Sequence, residues 1–303
     1  MTGSPASASM ELWRALAVLA EPPGPEHARV AELLRLPGRP DPADYTELFI
    51  LQLPPYASLY LGGEGMLGGE ARDRVAGFWR ALGRVPPAEP DHLTVMLALY
   101  AALAEQEPDE PDPARRALAG AGRGAWLWEH LACWLPPYLA KVRELGPPCY
   151  RAWAATLDEL LLRELASSGR PRILPLHLRA APPLPDPRIE GAAAFVRGLL
   201  APVRSGVFLV RAELARAARE TGLGHRIGER RRVLEALLAQ DAARTLTWLE
   251  AEARAWAGRH RRWRDATGPI AGFWAARAEA AAALLRRLAE EQAEAPRHPV
   301  TPG

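Results

Sequence analysis

Asp91 and His92 place a carboxylic acid and an imidazole side by side, directly after Pro90 and before the apolar run that begins at Leu93. Asp is a preferred N-cap residue, so its carboxylate can accept hydrogen bonds from the free N–H groups of a helix's first turn. An acid and an imidazole at one helix end could also bind a cationic or polar group. A helix cap is the simpler interpretation, and binding by this pair is the alternative.

The other residues that could do chemistry form no known catalytic or metal-binding motif. The seven histidines are scattered, and none pairs with another His, Cys or carboxylate at zinc spacing. His130 and Cys133 lie one helical turn apart, but nothing completes a ligand set, so we expect both in the core. The glycines of residues 62–69 follow no predicted strand and precede no Gly-Lys-Ser/Thr, which favours a flexible loop over a phosphate-binding loop. We therefore expect no enzyme, no cofactor and no metal.

Residues 212–232 offer an alternative function. They are predicted to form a helix, a turn that contains glycine, and a second helix that begins with arginines, an order loosely like a helix-turn-helix. Arg226 and Arg230–Arg232 could contact phosphates. The net charge of +2 and the almost exclusive use of Arg as the basic residue favour a solvated face. A DNA-binding regulator is the alternative, and we expect no nucleic acid partner.

Aromatic and proline-rich segments recur in the first half of the chain. Tyr and Trp favour sites where an apolar groove meets water. Acidic residues, among them Glu47, Asp91 and Glu129, lie close to these segments in sequence. Such a groove could bind an amphipathic or Arg-containing segment. The aromatic residues in question are Tyr45, Phe49, Tyr56, Tyr60, Phe78, Trp79, Trp126, Trp128, Trp134 and Tyr138.

The elements that must position these residues are helices. β-Branched residues are sparse, and apolar residues recur at spacings of three and four, which predicts an all-α helical bundle of about ten or more helices. A further apolar stripe runs through residues 127–138, with a kink expected at Pro136-Pro137. The predicted helices cover about 11–20, 26–36, 43–51, 70–82, 91–106, 188–200, 208–221, 227–240, 241–262 and 268–292.

Composition suggests how the chain is divided. Six prolines between Pro171 and Pro187 indicate an extended linker or hinge. We predict a disordered tail at 1–10, a helical domain at 11–168, a Pro-rich linker at 169–187, a C-terminal helical extension at 188–293 and a second disordered tail at 294–303.

The totals limit the class of protein. The 303 residues, of which 49% are hydrophobic, can bury a substantial core. Two cysteines are too few for a disulfide framework and are typical of a reducing compartment. The first ten residues lack a basic region followed by an apolar core, and no apolar run approaches the roughly 20 residues that span a bilayer. We therefore expect a cytoplasmic protein that does not insert into a membrane.

Five motifs, taken together, resemble a known family. Over about Leu12–Leu165 the chain is similar to the TorD/DmsD/NarJ family, the cytoplasmic redox-enzyme maturation chaperones of molybdenum oxidoreductases. The motifs, in order, are Tyr45-Thr46-Glu47-Leu48-Phe49, Pro54-Pro55-Tyr56-Ala57-Ser58-Leu59-Tyr60, Val75 to Gly83 with Phe78-Trp79, Pro90-Asp91-His92-Leu93, and Trp126 to Tyr138 with Trp134.

The resemblance implies an all-helical chaperone without catalysis of its own. It implies binding of the immature catalytic subunit of a molybdopterin-dependent oxidoreductase of the DMSO-reductase type, held for cofactor insertion before release or export. In many members the bound element is a twin-arginine leader, and in the NarJ branch the client can stay in the cytoplasm. Some members are said to bind guanine nucleotide or the molybdenum cofactor, for which this sequence has no motif. A monomer and a domain-swapped dimer, with 171–187 as hinge, are both open.

The resemblance also implies a site. Pro90, Asp91 and His92 would line it, and Tyr56, Tyr60, Phe78 and Trp79 would form its apolar wall. Secondary candidates are Glu47, Trp126, Glu129, His130 and Trp134. Ala57, Met96 and Ala98 stand where the family usually has acidic residues, so a client without a twin-arginine leader is an alternative.

Overall fold

The structure is a computed structural model that describes residues 5–294 of the chain. Within them there is no β-strand, and one isolated antiparallel bridge joins Tyr56 to His92. The all-α prediction is therefore confirmed. Residues 1–4 and 295–303 of the two predicted tails lie outside the described residues, whereas residues 5–10 belong to the first helix. No helix in the described part combines the length and the apolar character needed to cross a bilayer.

The first half of the chain forms nine α-helices and two π-helical segments. Six of these nine helices have a proline within the first two positions, where its missing N–H removes no helical bond and its fixed φ suits the helix. The helices are α1 (Pro5–Val18), α2 (Pro25–Leu33), α3 (Pro42–Tyr45), α4 (Ala57–Leu61), α5 (Gly69–Ala81), α6 (Leu93–Asp109), α7 (Pro113–Trp126), α8 (Leu135–Leu145) and α9 (Pro148–Ser167). The π-helical segments are π1 (Thr46–Gln52) and π2 (Leu127–Leu131).

The second half adds nine more α-helices. The four longest, at 211–221, 230–240, 242–261 and 269–294, lie where helical periodicity predicts them. Gly191 has a φ of +84°, which breaks the single helix predicted at 188–200 into two. The helices are α10 (Leu176–Arg179), α11 (Pro187–Glu190), α12 (Ala192–Leu199), α13 (Pro202–Ser205), α14 (Arg211–Thr221), α15 (Arg230–Gln240), α16 (Ala242–Arg261), α17 (Arg264–Thr267) and α18 (Pro269–Glu294).

Two sequence predictions about helices need correction. Helix α7 was not expected, because Gly120, Gly122 and Gly124 lower the helix propensity of its last turns. Residues 127–138 are not one kinked helix: π2 ends, residues 132–134 form a turn, and α8 then begins at Leu135. Pro136 lies in the first turn of α8, where proline starts a helix instead of bending one.

One buried core extends across the predicted linker. The ring of Tyr60 stacks between Trp134, with centroids 5.3 Å apart, and Phe208, with centroids 5.4 Å apart. The indole N–H of Trp274 donates to the carbonyl of Cys133 at 2.8 Å. Residues 188–293 therefore pack directly on residues 11–168, although the division into domains stays a prediction.

The segment 202–210, which follows the linker, is buried against the C-terminal helix. Gly206 has a φ of +73°, and a Cβ there would lie 2.4 Å from the backbone nitrogen of Ala278 in α18. Its carbonyl is 2.8 Å from Nε2 of His260. Glycine is needed here because the two backbones approach too closely for a side chain.

A buried ion pair also joins the two halves. Lys141, the one lysine of the sequence, is fully buried in α8 and pairs with Glu213 of α14. Lys141 also lies 3.1 Å from the carboxylate of Glu144. Burial raises the pKa of Glu213, and Lys141 opposes that rise. Two charges in a dry environment depend on each other, so removing one partner leaves the other buried and uncompensated.

Candidate functional site

The Pro-Asp-His motif lies against the start of helix α4. The N–H of Leu93 donates to the carbonyl of Pro55 at 2.8 Å, and the N–H of Ala57 donates to the carbonyl of Asp91 at 3.0 Å. We call the group formed by Tyr56, Glu89, Asp91 and His92 the Tyr–His corner. Its parts come from two segments that are more than 30 residues apart in sequence and are joined by backbone hydrogen bonds.

Asp91 holds α4 instead of its own helix. It is buried, and its Oδ2 accepts a hydrogen bond from the backbone N–H of Ser58, in the first turn of α4, at 3.1 Å. The hydroxyl of Ser58 in turn accepts from the N–H of Gly68 at 3.2 Å. The prediction that Asp91 caps the helix after it is wrong: His92 is the N-cap of α6, with Nδ1 accepting from the N–H of Thr94 at 3.3 Å. Asp91 thus connects the glycine-rich loop to the corner through Ser58.

Tyr56, His92 and Glu89 form the accessible part of the corner. The phenol of Tyr56 donates to Oε2 of Glu89 at 3.0 Å, and its ring meets the His92 imidazole edge-on with centroids 4.7 Å apart. Burial lowers the pKa of His92, and burial together with Glu89 raises the pKa of Tyr56 to about 12. Near neutral pH, the imidazole of His92 and the phenol of Tyr56 are therefore both neutral. Sequence reasoning missed Glu89, although it directly precedes the motif.

A second set of predicted residues meets along one face of α5. We call this surface the α5 groove. It consists of two adjoining depressions, of about 410 Å³ and about 420 Å³, which share Arg74 and His177. The first depression is lined by Gly77, Phe78, Ala81, Glu129, His130 and Leu176. The second is lined chiefly by residues of the glycine-rich loop 61–71 and by residues 180–182 after α10.

The α5 groove carries negative charge. Three of its lining residues are glutamates, and its one guanidinium, that of Arg74, pairs with Glu70. The imidazoles of His130 and His177 lie 3.1 Å apart between Nδ1 and Nε2, and burial lowers the pKa of both, that of His177 to about 3. Both are therefore neutral at physiological pH. The remaining glutamates are Glu64 and Glu129, so the lining has a formal charge of −2.

The groove also exposes apolar side chains. Met66 and Leu67 of the glycine-rich loop are 65% and 60% exposed, and Leu176 is 45% exposed. Phe78 is half-buried and packs on Trp126 and His130, with ring centroids 5.2 and 5.1 Å away. Adjoining exposed apolar residues beside a cavity mark a surface suited to binding another chain. The N–H of Leu176 donates to Oε2 of Glu129 at 2.8 Å, which fixes α10 beside the groove.

The remaining predicted site residues lie elsewhere. Tyr60, Trp126 and Trp134 are core residues, and Pro90 is also buried. Trp79 is half-buried, and its indole N–H has no acceptor among the described residues. Glu47 is exposed and accepts from the amide of Gln52 at 2.7 Å.

Sequence reasoning missed several residues that build the groove, among them Met66, Leu67, Arg74, Leu176 and His177. Arg74 stands on the predicted helix, but its charge gave no reason to separate it from the many other arginines. His177 and Leu176 come from the predicted linker, nearly 50 residues after His130. No local sequence pattern predicts a contact of that kind, because the contact depends on how the Pro-rich linker, residues 169–187, which we call the strap, crosses the surface.

The structure weakens the DNA-binding alternative. A helix-turn-helix joins its helices by three or four residues, whereas residues 222–229 separate α14 from α15. The guanidinium of Arg230 donates to the carbonyl of Leu209 at 2.8 Å, and Arg231 pairs with Glu235. Within residues 5–294, no group of three or more His, Cys, Asp and Glu side chains is placed to bind a metal ion.

Comparison with known families agrees with the resemblance found in the sequence. The family model described as nitrate reductase delta subunit matches residues 41–140. All five motifs, the Tyr–His corner and most of the α5 groove fall inside that range, while α10 and the helices after it lie beyond it. No protein of curated function matches the chain.

Proposed function

We propose that this chain, whose residues 41–140 belong to the nitrate reductase delta subunit family, binds the immature catalytic subunit of a molybdopterin-dependent oxidoreductase. The family is one of molybdoenzyme maturation chaperones. The proposed action is binding and timing: the subunit is held for cofactor insertion in the cytoplasm and then released, and no covalent bond is made or broken.

The observation that carries the proposal is the α5 groove. It lies mostly in the matched residues, exposes Met66 and Leu67, and has a negatively charged lining. A leader segment that combines arginines with an apolar stretch is its chemical complement, since guanidinium groups pair strongly with carboxylates and apolar side chains leave water on contact. We therefore propose a twin-arginine leader of the client as the segment bound.

The Tyr–His corner serves the same site indirectly in this proposal. Asp91 holds Ser58, and Ser58 holds Gly68, so the loop that presents Met66 and Leu67 is anchored to the corner. An anchored loop loses less conformational freedom on binding, which favours affinity. Glu89 adds a further carboxylate for a basic client residue.

A peptide-binding experiment tests this function. The probe is a labelled leader-like peptide with two consecutive arginines before an apolar stretch, and its binding is followed by fluorescence anisotropy. Changing Met66 and Leu67 together to Ser should weaken binding about tenfold or more, because a buried large apolar side chain contributes roughly 1.5–3 kcal/mol. The matched control changes Leu33 and Ile189, which are 83% and 85% exposed on α2 and α11, to Ser.

The outcomes separate the parts of the proposal. If the unchanged protein and the Leu33/Ile189 control bind the peptide tightly and the Met66/Leu67 variant does not, the result supports the leader site. Equal loss in both variants contradicts the groove assignment. If the peptide does not bind but the immature catalytic subunit does, the client is recognised through a segment other than a leader.

A further inference from the structure

A separate depression opens on a positively charged part of the surface, and of its lining residues only Ala140 lies within the family-matched residues 41–140. It has a volume of about 780 Å³ and lies between α8, α9 and the C-terminal end of α16. It shares no lining residue with the α5 groove. We call it the arginine trench.

The helices leave this space open because small residues face it. Ala140 of α8 and Ala152 and Ala155 of α9 line the trench. On α9, residues three and four apart lie on the same face, so Arg151, Ala155 and Asp158 follow one another along the trench. Alanine is too short to fill the gap between the helices, and longer side chains stand around it.

Arginine dominates the charge of the trench. Four guanidiniums and two carboxylates line it, for a formal charge of +2, equal to that of the whole chain. Within residues 5–294, neither Arg151 nor Arg262 has a carboxylate partner. The other two arginines, by contrast, are paired: Arg143 lies 3.5 Å from Asp158, and Arg259 lies 3.4 Å from Glu144.

One tryptophan, Trp263, gives the trench an accessible apolar side, whereas Trp256 is fully buried. The guanidinium of Arg259 lies over the ring of Trp256, 4.9 Å from its centroid. Trp263, half-buried after α16, also lines the trench. The site therefore offers free positive charge beside aromatic surface. Trp and Arg are the residue types that dominate the binding energy of protein interfaces.

We propose that the arginine trench binds an acidic peptide segment of a partner protein. Carboxylates of that segment pair with Arg151 and Arg262, and an apolar side chain between them packs on Trp263. A peptide fits better than a free phosphate-bearing anion, since the guanidiniums stand apart on separate helices and no glycine-rich loop lines the trench. This site is independent of the α5 groove and of what binds there.

The test uses the full chain and a labelled peptide of alternating Asp and Leu, with a Lys-Leu peptide as the opposite-charge probe. We expect the Asp-Leu peptide to bind in the trench, and we expect any binding of the Lys-Leu peptide, which suits the negatively charged α5 groove, to be unchanged by substitutions in the trench. Reversing the charge of the two unpaired arginines, R151E with R262E, should weaken binding about tenfold. The matched control, R29E with R226E, makes the same change of charge at two exposed arginines outside the trench and should change affinity less than about twofold.

A milder pair, R151Q with R262Q, guards against misfolding, because Arg151 also donates to the carbonyl of Gly146 at 3.2 Å. It should weaken binding about threefold with an unchanged thermal midpoint. Failure of the Asp-Leu peptide to bind overturns the proposal, as does an equal loss in the R29E/R226E control. Displacement by inorganic tripolyphosphate at equal charge concentration also overturns it, since the site would then take a free anion.

Discussion

The α5 groove and the arginine trench show how one helical bundle can present two surfaces of opposite character. The groove is lined by three glutamates and one paired arginine, and it exposes apolar side chains of a glycine-rich loop. The trench is lined by four arginines, two of them without a carboxylate partner among the described residues, beside two tryptophans. Because the net charge of the chain is only +2, the charge of each surface is determined by the local side chains.

The two surfaces also differ in which part of the chain builds them. The groove is formed mainly by residues 41–140, with α10 of the strap added. The trench lies between α8, α9 and the end of α16, so it requires residues beyond the family-matched range. The C-terminal helices therefore create a surface of their own, in addition to completing the core.

The largest effect should come from breaking the buried pair that joins the two halves. Changing Lys141 to Ala leaves Glu213 buried without its cation, which should lower the free energy of unfolding by about 3–5 kcal/mol. Chemical denaturation measures the loss. Replacing both partners, K141M with E213L, should recover most of the stability. If K141A is as stable as the unchanged protein, the pair does not hold α14 on α8.

The next effect concerns the anchor of the groove loop. Asp91→Ala should cost about 1–2 kcal/mol of stability, because the N–H of Ser58 loses its acceptor, and should also weaken leader-peptide binding. His92→Ala should affect both quantities less. Denaturation and anisotropy on the same samples distinguish the roles. Lost binding with unchanged stability in D91A would mean that the carboxylate contacts the peptide directly.

Asp158, which lines the arginine trench, destabilises the folded protein at neutral pH, so replacing its carboxyl group should stabilise the protein. Burial raises the pKa of Asp158 to about 6, so the folded state binds a proton that the unfolded state, with a pKa near 4, has already lost. Asp158 therefore opposes folding increasingly as pH rises from about 4 through 6. Asp158→Asn should raise stability by about 1–2 kcal/mol at pH 7 and by little at pH 4. A D158N variant that is less stable at pH 7 would show that its pair with Arg143 prevails.

The smallest expected effect tests whether the negative charge of the α5 groove acts locally. Glu64→Gln removes one exposed carboxylate from the groove, and should weaken leader-peptide binding about twofold at low salt, since exposed ion pairs contribute roughly 0.2–1 kcal/mol. Binding of the Asp-Leu peptide in the trench should not change. An equal effect on both peptides would mean that long-range charge, and not the local lining, governs the two surfaces.

Sequence reasoning predicted the elements better than their contacts. The periodicity of apolar residues predicted the long helices, since each helix buries a face of its own. It predicted helix caps less well: Asp91 has the right residue type, but it lies one position before the N-cap of α6, and its carboxylate accepts a hydrogen bond from Ser58 instead. The aromatic residues of the motifs illustrate the same limit, because Tyr60 and Trp134 stack inside the core while Phe78 borders the groove.

The site was only partly predictable for a related reason. Phe78, Glu129 and His130 were named from the sequence and do meet along α5. Their partners His177 and Leu176 lie on a segment predicted as a linker, and the trench is assembled from three helices distant in sequence. Such arrangements follow from packing, which a single sequence does not display.

Crosslinking can test whether the α5 groove binds the client. The most direct measurement places a photo-crosslinking amino acid at Met66, or at Leu33 as the control, in the chain expressed in its own host, and identifies the crosslinked protein by mass spectrometry. We expect a molybdopterin oxidoreductase catalytic subunit to be crosslinked from Met66 and not from Leu33. Equal crosslinking of that subunit from both positions, or none of it from Met66, would show that the groove is not the client's binding site.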